Sequence, residues 1–408
     1  MSQGRGGALG ALRARNREMI VERLSQGPTT RPDLSRTTGL SKTTVSTLVA
    51  ELIDEGLVEE RAGARPEGSR GRGRPAVQLG LTAGHGWVVG VDFDHDRLRV
   101  AYADQQAATF EEQMLTDLDI ATAADSAIDA AADMVLAVLR RAADRGVPIR
   151  GVVMGIPGPL DVISGTIGSA VMLPGWQTAA HGEQMAARIE MPVAVENDAN
   201  LAALGELQFG AGRGVGDFVS VKVGTGIGAG LVLDGRLYRG ARGTAGEIGH
   251  VTVEDGGRVC RCGGRGCLET LVSVPRLVAA LQPAHARPLG RDDLVALAIQ
   301  GDPGATRVLA DAGRTIGRVL VDLCTNLNPD AVIVCGDLGD ALEPLVDGVR
   351  ESVDRYGQPG MSSAVEVRRG TLGSRAAILG ALVRAHELSG LPGAGPTWAP
   401  HDFGRKSV

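Results

Sequence analysis

The sequence predicts an α/β protein in two parts: an N-terminal helix-turn-helix with a strand-built wing, and behind it a body of two α/β lobes. Three observations carry this prediction. A short glycine turn, Thr38-Gly39-Leu40, joins two helical patterns near the N-terminus. Two strand–turn–strand units, each followed by helix and strand, begin at Trp87 and Asp217 and repeat one plan. Glycine supplies 59 of 408 residues, about twice the ~7% average, as tight turns and close backbone approaches demand.

The front end is expected to span residues 1–80. Residues 8–25 place Leu9, Leu12, Met19, Ile20 and Leu24 in a helical rhythm that Gly27-Pro28 ends. Thr30 can cap a short helix, with Asp33 as its capping-box partner, and Gly39 suits the left-handed C-cap. Ser41 can cap the next helix, which runs to about Glu55 with Val45, Leu48, Val49 and Leu52 on one face. The second helix of such a pair lies in the major groove of double-stranded DNA. Its N-terminal residues here are Ser41, Lys42, Thr43, Thr44, Ser46 and Thr47, hydroxyls and a cation suited to phosphates and thymine methyls. A helical hairpin packed on another domain is the alternative. Gly56–Glu60 and Val77–Leu79 can pair as strands, with Arg72 and Arg74 at an Arg-Gly tip that is either a minor-groove arm or a solvated linker.

The body is expected over 86–390. In the first lobe (about 86–200), WVVGVDF and RLRVAYA read as strands, 122–145 as a helix and GVVMGIP as a strand. In the second (about 201–390), DFVSVKV, a GTGIGAG turn, LVLDGRLY, long helices and AVIVCGD follow. A cleft between two such copies is a common ligand site. Residues 391–408, rich in Gly and Pro, read as a loose tail.

Composition narrows the function. With 43% apolar residues the chain can bury a core. No apolar run reaches the ~18–20 residues of a membrane span, and the N-terminus lacks the apolar stretch of a secretory signal, so no membrane association and a cytoplasmic location are expected. Aromatics at 3% argue against a stacking-based single-strand binder. Residues 1–78 carry a balance of +4 and the remainder −10, a basic front on an acidic body. Arg outnumbers Lys by 39 to 3, which we read as a GC-rich genome.

Four groups of residues carry chemistry. Gly224, Thr225, Gly226 and Gly228 could bring backbone N–H groups to an anion, or form a plain β-turn. Asn197 and Asp198 stand between an apolar run and a helix; they could grip hydroxyls, with Asp198 taking a proton, or simply cap the helix. His250, Cys260, Cys262 and Cys267 offer three thiolates and an imidazole to a tetrahedral structural zinc; free thiols in a loop are the alternative. Glu247 and Glu269, beside His250, could form a polyol-binding wall or an ordinary acidic surface.

Together the motifs resemble the ROK family of bacterial sugar kinases and sugar-responsive repressors. The resemblance spans 150–385 and lies in GIPGPLD (155–161), LPGW (173–176), VENDANLAALGE (195–206), GTGIGAG (224–230), RGTAGEIGH (242–250) and CRCGGRGCLE (260–269). It implies a two-lobed, actin-like sugar-kinase fold (the RNase H-like, ATPase-type architecture) and a hexose site on Asn197, Asp198, Glu247, His250 and Glu269. It further implies Asp198 as the base of any kinase, a degenerate nucleotide site on Gly224, Thr225, Gly226 and Gly228, and zinc on the three cysteines and His250. Repressors of the family also carry an N-terminal winged helix. One departure separates the two branches: family kinases open with Asp-x-Gly-Gly-Thr, whereas Asp92 is followed by Phe93-Asp94-His95-Asp96. Each carboxylate held ~4 Å from a triphosphate would cost about 4 kcal/mol at an effective dielectric near 20. Gly336-Asp337 also departs from the Gly-Gly expected around an adenosine. The expectation is therefore a DNA-binding repressor that senses a sugar or sugar derivative, with weak or absent use of ATP and magnesium, acting as a homodimer or dimer of dimers. The alternative is an ATP-dependent hexose kinase with an appended DNA-binding module.

Overall fold

The structure, a computed structural model, describes residues 13, 15–17, 19–21, 23–24, 28–54, 58–62, 77–81, 86–104, 110–116, 118, 120, 122–161, 166–167, 176 and 181–389. Arg72 and Arg74 of the expected wing tip, most of LPGW and the expected tail lie outside them.

The helix Arg31–Thr38 begins at Thr30, whose Oγ1 accepts from the Asp33 N–H (3.3 Å) and donates to the Asp33 carboxylate (2.7 Å). It ends at Gly39 with φ +72°, a conformation that glycine adopts without a Cβ penalty. The helix Lys42–Asp54 follows at once and buries Val45, Leu48, Val49 and Leu52. Strands β1 (Val58–Ala62) and β2 (Val77–Leu81) pair antiparallel. Leu79 of β2 and Val58 of β1 close a small core with Ile20, Leu24, Leu34 and the four apolar residues of the second helix. At roughly 1.5–3 kcal/mol per fully buried aliphatic side chain, this core accounts for a stable orientation of the two helices.

Two five-stranded sheets form the body. The first has the order β5-β4-β3-β6-β9, from β3 (Trp87–Phe93), β4 (Arg97–Asp104), β5 (Phe110–Thr116), β6 (Ile149–Ile156) and β9 (Ala194–Asn197). A ribbon of β7 (Leu160–Asp161) and β8 (Thr166–Ile167) follows β6. The second sheet has the order β12-β11-β10-β13-β14, from β10 (Phe218–Val223), β11 (Ile227–Leu233), β12 (Arg236–Tyr238), β13 (Ala331–Gly336) and β14 (Glu366–Arg369). In each sheet the first three strands form an antiparallel meander and the last two run parallel to the first. The repeated plan read from Trp87 and Asp217 is thus a duplicated sheet. All seven residues of β3 and all six of β13 are buried, as strands covered on both faces require.

Two helices join the sheets. Asp198–Phe209 is buried on nearly every side, and Ala376–Leu388, last in the sequence, returns to pack on β3 and β6. They cross backbone to backbone: a Cβ at Gly205 would stand 2.2 Å from the Ala376 carbonyl oxygen, and one at Gly380 would stand 1.8 Å from that of Leu201. The lobes therefore do not divide at one point near residue 200, because the C-terminal helix completes the first lobe. The GTGIGAG segment also differs from the expected turn: only Gly224-Thr225-Gly226 turns, and Ile227–Leu233 is β11. Among the described residues, no helix is long and apolar enough to cross a membrane.

Candidate functional site

The DNA-facing surface expected on the helix Lys42–Asp54 is only partly free. Ser41, Lys42, Thr43, Ser46 and Thr47 are exposed, and Lys42 starts the helix. Thr44 is engaged locally: Ser41 Oγ accepts from the Thr44 N–H (3.1 Å) and lies 2.8 Å from Thr44 Oγ1. Ser41 therefore caps the helix with Thr44 as its partner, while Lys42, Thr43, Ser46 and Thr47 present the outward polar face.

The sugar-type residues converge in the cleft between the sheets. Asn197, Asp198, Glu247, His250 and Glu269 all line it, together with Asp94, His95, Lys222 and Arg261. It opens at the carboxyl ends of β6, β9 and β10, where α/β sheets place ligands. Local bonds set each group. Asn197 Oδ1 accepts from the Ala199 and Asn200 N–H groups (2.9 and 3.0 Å) and its Nδ2 donates to the Gly158 carbonyl (2.9 Å), so Asn197 caps a helix and faces the cleft at once. Glu247 follows Gly246, whose φ of +91° and contact with β11 leave no room for a side chain: a Cβ would lie 1.9 Å from the Ala229 oxygen. Burial, with repulsion from Asp198 and Glu269, pushes the Glu247 carboxyl up to about 7.

Charges fill the deep end of the cleft. Lys222 Nζ lies 2.5 Å from Asp198 Oδ2. Burial opposes its charge, yet Asp198, Asp94, Asp337 and Asp92 outweigh burial and hold the ammonium well above the usual lysine range. Arg97, first residue of β4, pairs with Asp94 (2.9 Å) and Asp337 (3.0 Å) and reaches Asp96 (3.1 Å). Burial likewise opposes the charge on Asp94, but Lys222, His95 and Arg97 hold its carboxyl well below the usual range. Asp92 is pushed up to about 7 by burial, against the pull of Lys222 and Arg99. These pairs correct the expectation of two bare carboxylates facing the cleft. Only Asp94 lines it, already neutralised by Arg97; Asp96 is 55% exposed and turns outward toward Arg291 (3.6 Å).

Of the glycine turn, Gly226 and Gly228 line the cleft, whereas Gly224 and Thr225 stand outside its lining. Gly228 sits in β11 where a Cβ would come 2.9 Å from Ala199 Cβ, so close packing on the helix Asp198–Phe209 accounts for it without a ligand.

His250, Cys260, Cys262 and Cys267 bring four ligand atoms within 4.8 Å of one another. His250 Nδ1 stands 3.6 Å from Cys260 Sγ, and Cys262 Sγ 3.6 Å from Cys267 Sγ, spacings that suit the edges of a tetrahedral metal site. The loop folds back through Cys260 N–H to the Gly264 oxygen (2.8 Å) and Gly266 N–H to the Arg258 oxygen (2.9 Å). His250 Nε2 is 3.9 Å from Glu247 Oε2, so this imidazole links the cysteine cluster to the cleft wall.

Sequence reasoning assigned no role to Lys222, Arg97, Arg261, Arg239 or Arg242. Arg261 bonds Glu269 Oε1 (2.9 Å), His95 Nε2 (3.0 Å) and the Thr225 oxygen (3.3 Å). Arg239 holds Glu196 (2.7 Å), and Arg242 pairs with Asp161 across the lobes (2.6 Å). One signal was available for Lys222: it is one of only three lysines, and it interrupts the apolar strand DFVSVKV.

The ROK family profile matches residues 88–387 and the MarR family profile residues 19–69. A xylose repressor of Bacillus subtilis (strain 168) is 29% identical over 364 residues, covering 89% of this chain and 92% of that protein. A crystal structure of a ROK family transcriptional regulator, a homolog of the E. coli MLC protein, superposes with a TM-score of 0.75 at 23% identity, over 93% of this chain and 97% of the other. A ROK family glucokinase of Streptomyces griseus, in complex with glucose and AMPPNP, gives 0.64 at 28% identity, over 74% of this chain and all of the other.

Proposed function

The chain belongs to the ROK family, and from that premise we propose that it is a sugar-responsive, DNA-binding transcriptional repressor. The observation that carries this reading is one molecule with two separate polar surfaces. One is the exposed, acid-free start of the second helix of a helix-turn-helix; the other is a cleft lined by Asn197, Asp198, Glu247, His250 and Glu269. The similarity to the xylose repressor runs through both parts, whereas the glucokinase match covers about three-quarters of the chain, which supports the repressor over the kinase.

In this reading the helix Lys42–Asp54 enters the major groove and its exposed hydroxyls and Lys42 contact bases and phosphates. Two-fold related half-sites would be read by a homodimer, and a DNA partner would put the protein in the cytoplasm. The hydroxyls of a sugar or sugar derivative would donate to Asp198, Glu247 and Glu269 and accept from Asn197 Nδ2. A zinc ion on His250, Cys260, Cys262 and Cys267 would hold His250 against the cleft wall; the three thiols and the imidazole fit it, and its role would be structural. The effector shifts the equilibrium between two lobe arrangements only as far as it binds them differently, and that difference would reposition the paired DNA-binding helices.

The test is fluorescence anisotropy with the duplex upstream of the protein's own gene and with duplexes selected from a random pool, titrated with and without sugars. Specific, salt-sensitive binding that a sugar alters is expected. The absence of sequence-specific binding to every selected duplex would overturn the reading.

A further inference from the structure

We propose that the cleft admits an uncharged, unphosphorylated sugar and refuses anionic ligands, because every Lys and Arg that lines it is already engaged by the chain's own acceptors. This deepens the sugar-binding role proposed above and rests on it. Among the described residues, Lys222 and Arg261 are the only Lys or Arg side chains lining the cleft. Lys222 pairs with Asp198 at 2.5 Å. Arg261 is engaged through three nitrogens, by Glu269, His95 and the Thr225 oxygen. Behind them Arg97 is held between Asp94 and Asp337, and at the side Arg239 is held by Glu196. Glu247 adds a further carboxyl to the wall; its closest basic neighbour is His250, at 3.9 Å.

A phosphate ester or sugar acid entering this cleft would meet cations whose charge is already balanced, so compensating its own charge would mean drawing Lys222 or Arg261 from its carboxylate. That exchange leaves a buried carboxylate without its cation, a heavily penalised arrangement, and sets the new anion beside Glu247. A neutral polyol faces no such exchange. Its hydroxyls can donate to Asp198, Glu247 and Glu269 without disturbing either ion pair, and can accept from the two ammonium hydrogens of Lys222 that Asp198 Oδ2 leaves over. Lysine suits the position because its charge is compact, whereas an arginine fork would extend into the space the ligand needs. The same charges bridge the lobes: Arg97 of β4 reaches Asp337 beyond β13, so the deep end is closed by the protein's own groups and needs no nucleotide.

Isothermal titration of the full chain with inorganic pyrophosphate, glucose 6-phosphate, magnesium-AMPPNP, D-glucose and D-xylose tests this. The wild type is expected to bind none of the three anions at millimolar concentration. Asp198→Asn frees Lys222, and Glu269→Gln separately frees Arg261; each variant that folds, checked by circular dichroism, is expected to bind pyrophosphate at least about tenfold more tightly than the wild type. Wild-type binding of pyrophosphate, or of glucose 6-phosphate as tightly as glucose, would overturn the proposal. So would folded variants of both kinds with no gain in anion affinity. If the variants gain pyrophosphate binding while neither sugar binds the wild type, the charge argument stands and the sugar-binding role loses its support.

Discussion

The Lys222 ammonium sits 2.5 Å from Asp198 Oδ2, on the very carboxylate that a phosphoryl-transfer reading would need as its base. A base must present a lone pair to the substrate hydroxyl within hydrogen-bond reach, and here an ammonium competes for it. The expected outcome is that purified protein releases ADP from ATP at background rate across a hexose panel, with Asp198→Asn indistinguishable from wild type. A coupled ADP-release assay showing brisk turnover lost in Asp198→Asn would establish a kinase.

Asp92 gives the stability a pH signature. Its carboxyl is raised from 3.8 to about 7 in the folded protein, chiefly by burial, while Asp94 and Asp198 add repulsion and Lys222 and Arg99 oppose the shift. The folded state therefore holds a proton that the unfolded chain releases between about pH 4 and 7, and stability from this group is present below pH 4 and lost as pH rises through 7. The effect is on the order of 4 kcal/mol. Asp92→Asn is expected to flatten the fall in Tm between pH 4 and 8 and to exceed the wild type at pH 8. Glu247, also raised to about 7, keeps a residual slope of the same sign. Denaturation curves at each pH that leave the slope unchanged in Asp92→Asn would contradict this.

One zinc per chain is expected by elemental analysis, and Cys262→Ser is expected to lose it. Because His250 links the cluster to Glu247, the variant should also weaken sugar binding without any change in the cleft's own residues. Zinc-free wild-type protein with unimpaired sugar binding would count against a structural ion.

On the DNA side, Lys42 and the hydroxyl residues should separate by kind. Lys42→Ala should weaken binding to all duplexes alike and lower the slope of log affinity against log salt by about 1. Ser46→Ala or Thr47→Ala should change the preferred sequence with little effect on that slope. Ser41→Ala should act through helix stability, about 1 kcal/mol for the lost cap bond from the Thr44 N–H, visible in thermal melts without DNA.

Much of this protein is legible along the chain because the signals are local. Thr30, Asp33 and Gly39 mark the ends of a helix within ten residues, and the repeated strand plan follows from apolar runs and turns. The cysteine spacing and the clustered acids identify candidate ligands for the same reason: their chemistry is set by residue type. Other details depend on which neighbours the fold brings close. Asp94 and Asp96 look like bare repulsive charges until Arg97 and Arg291 are placed beside them. Gly228 looks like part of an anion loop until Ala199 is seen against it.

The amino-acid order by itself determined the helix-turn-helix, the duplicated α/β plan and the set of groups able to meet a polyol or a metal, since propensity, capping and side-chain chemistry act over a few residues. Only tertiary structure decided which charges cancel. Lys222 and Asp198 are 24 positions apart, Arg97 and Asp337 lie on different sheets, and Coulomb energy depends on separation in space, so a cleft rich in ionisable groups became one whose cations are all engaged.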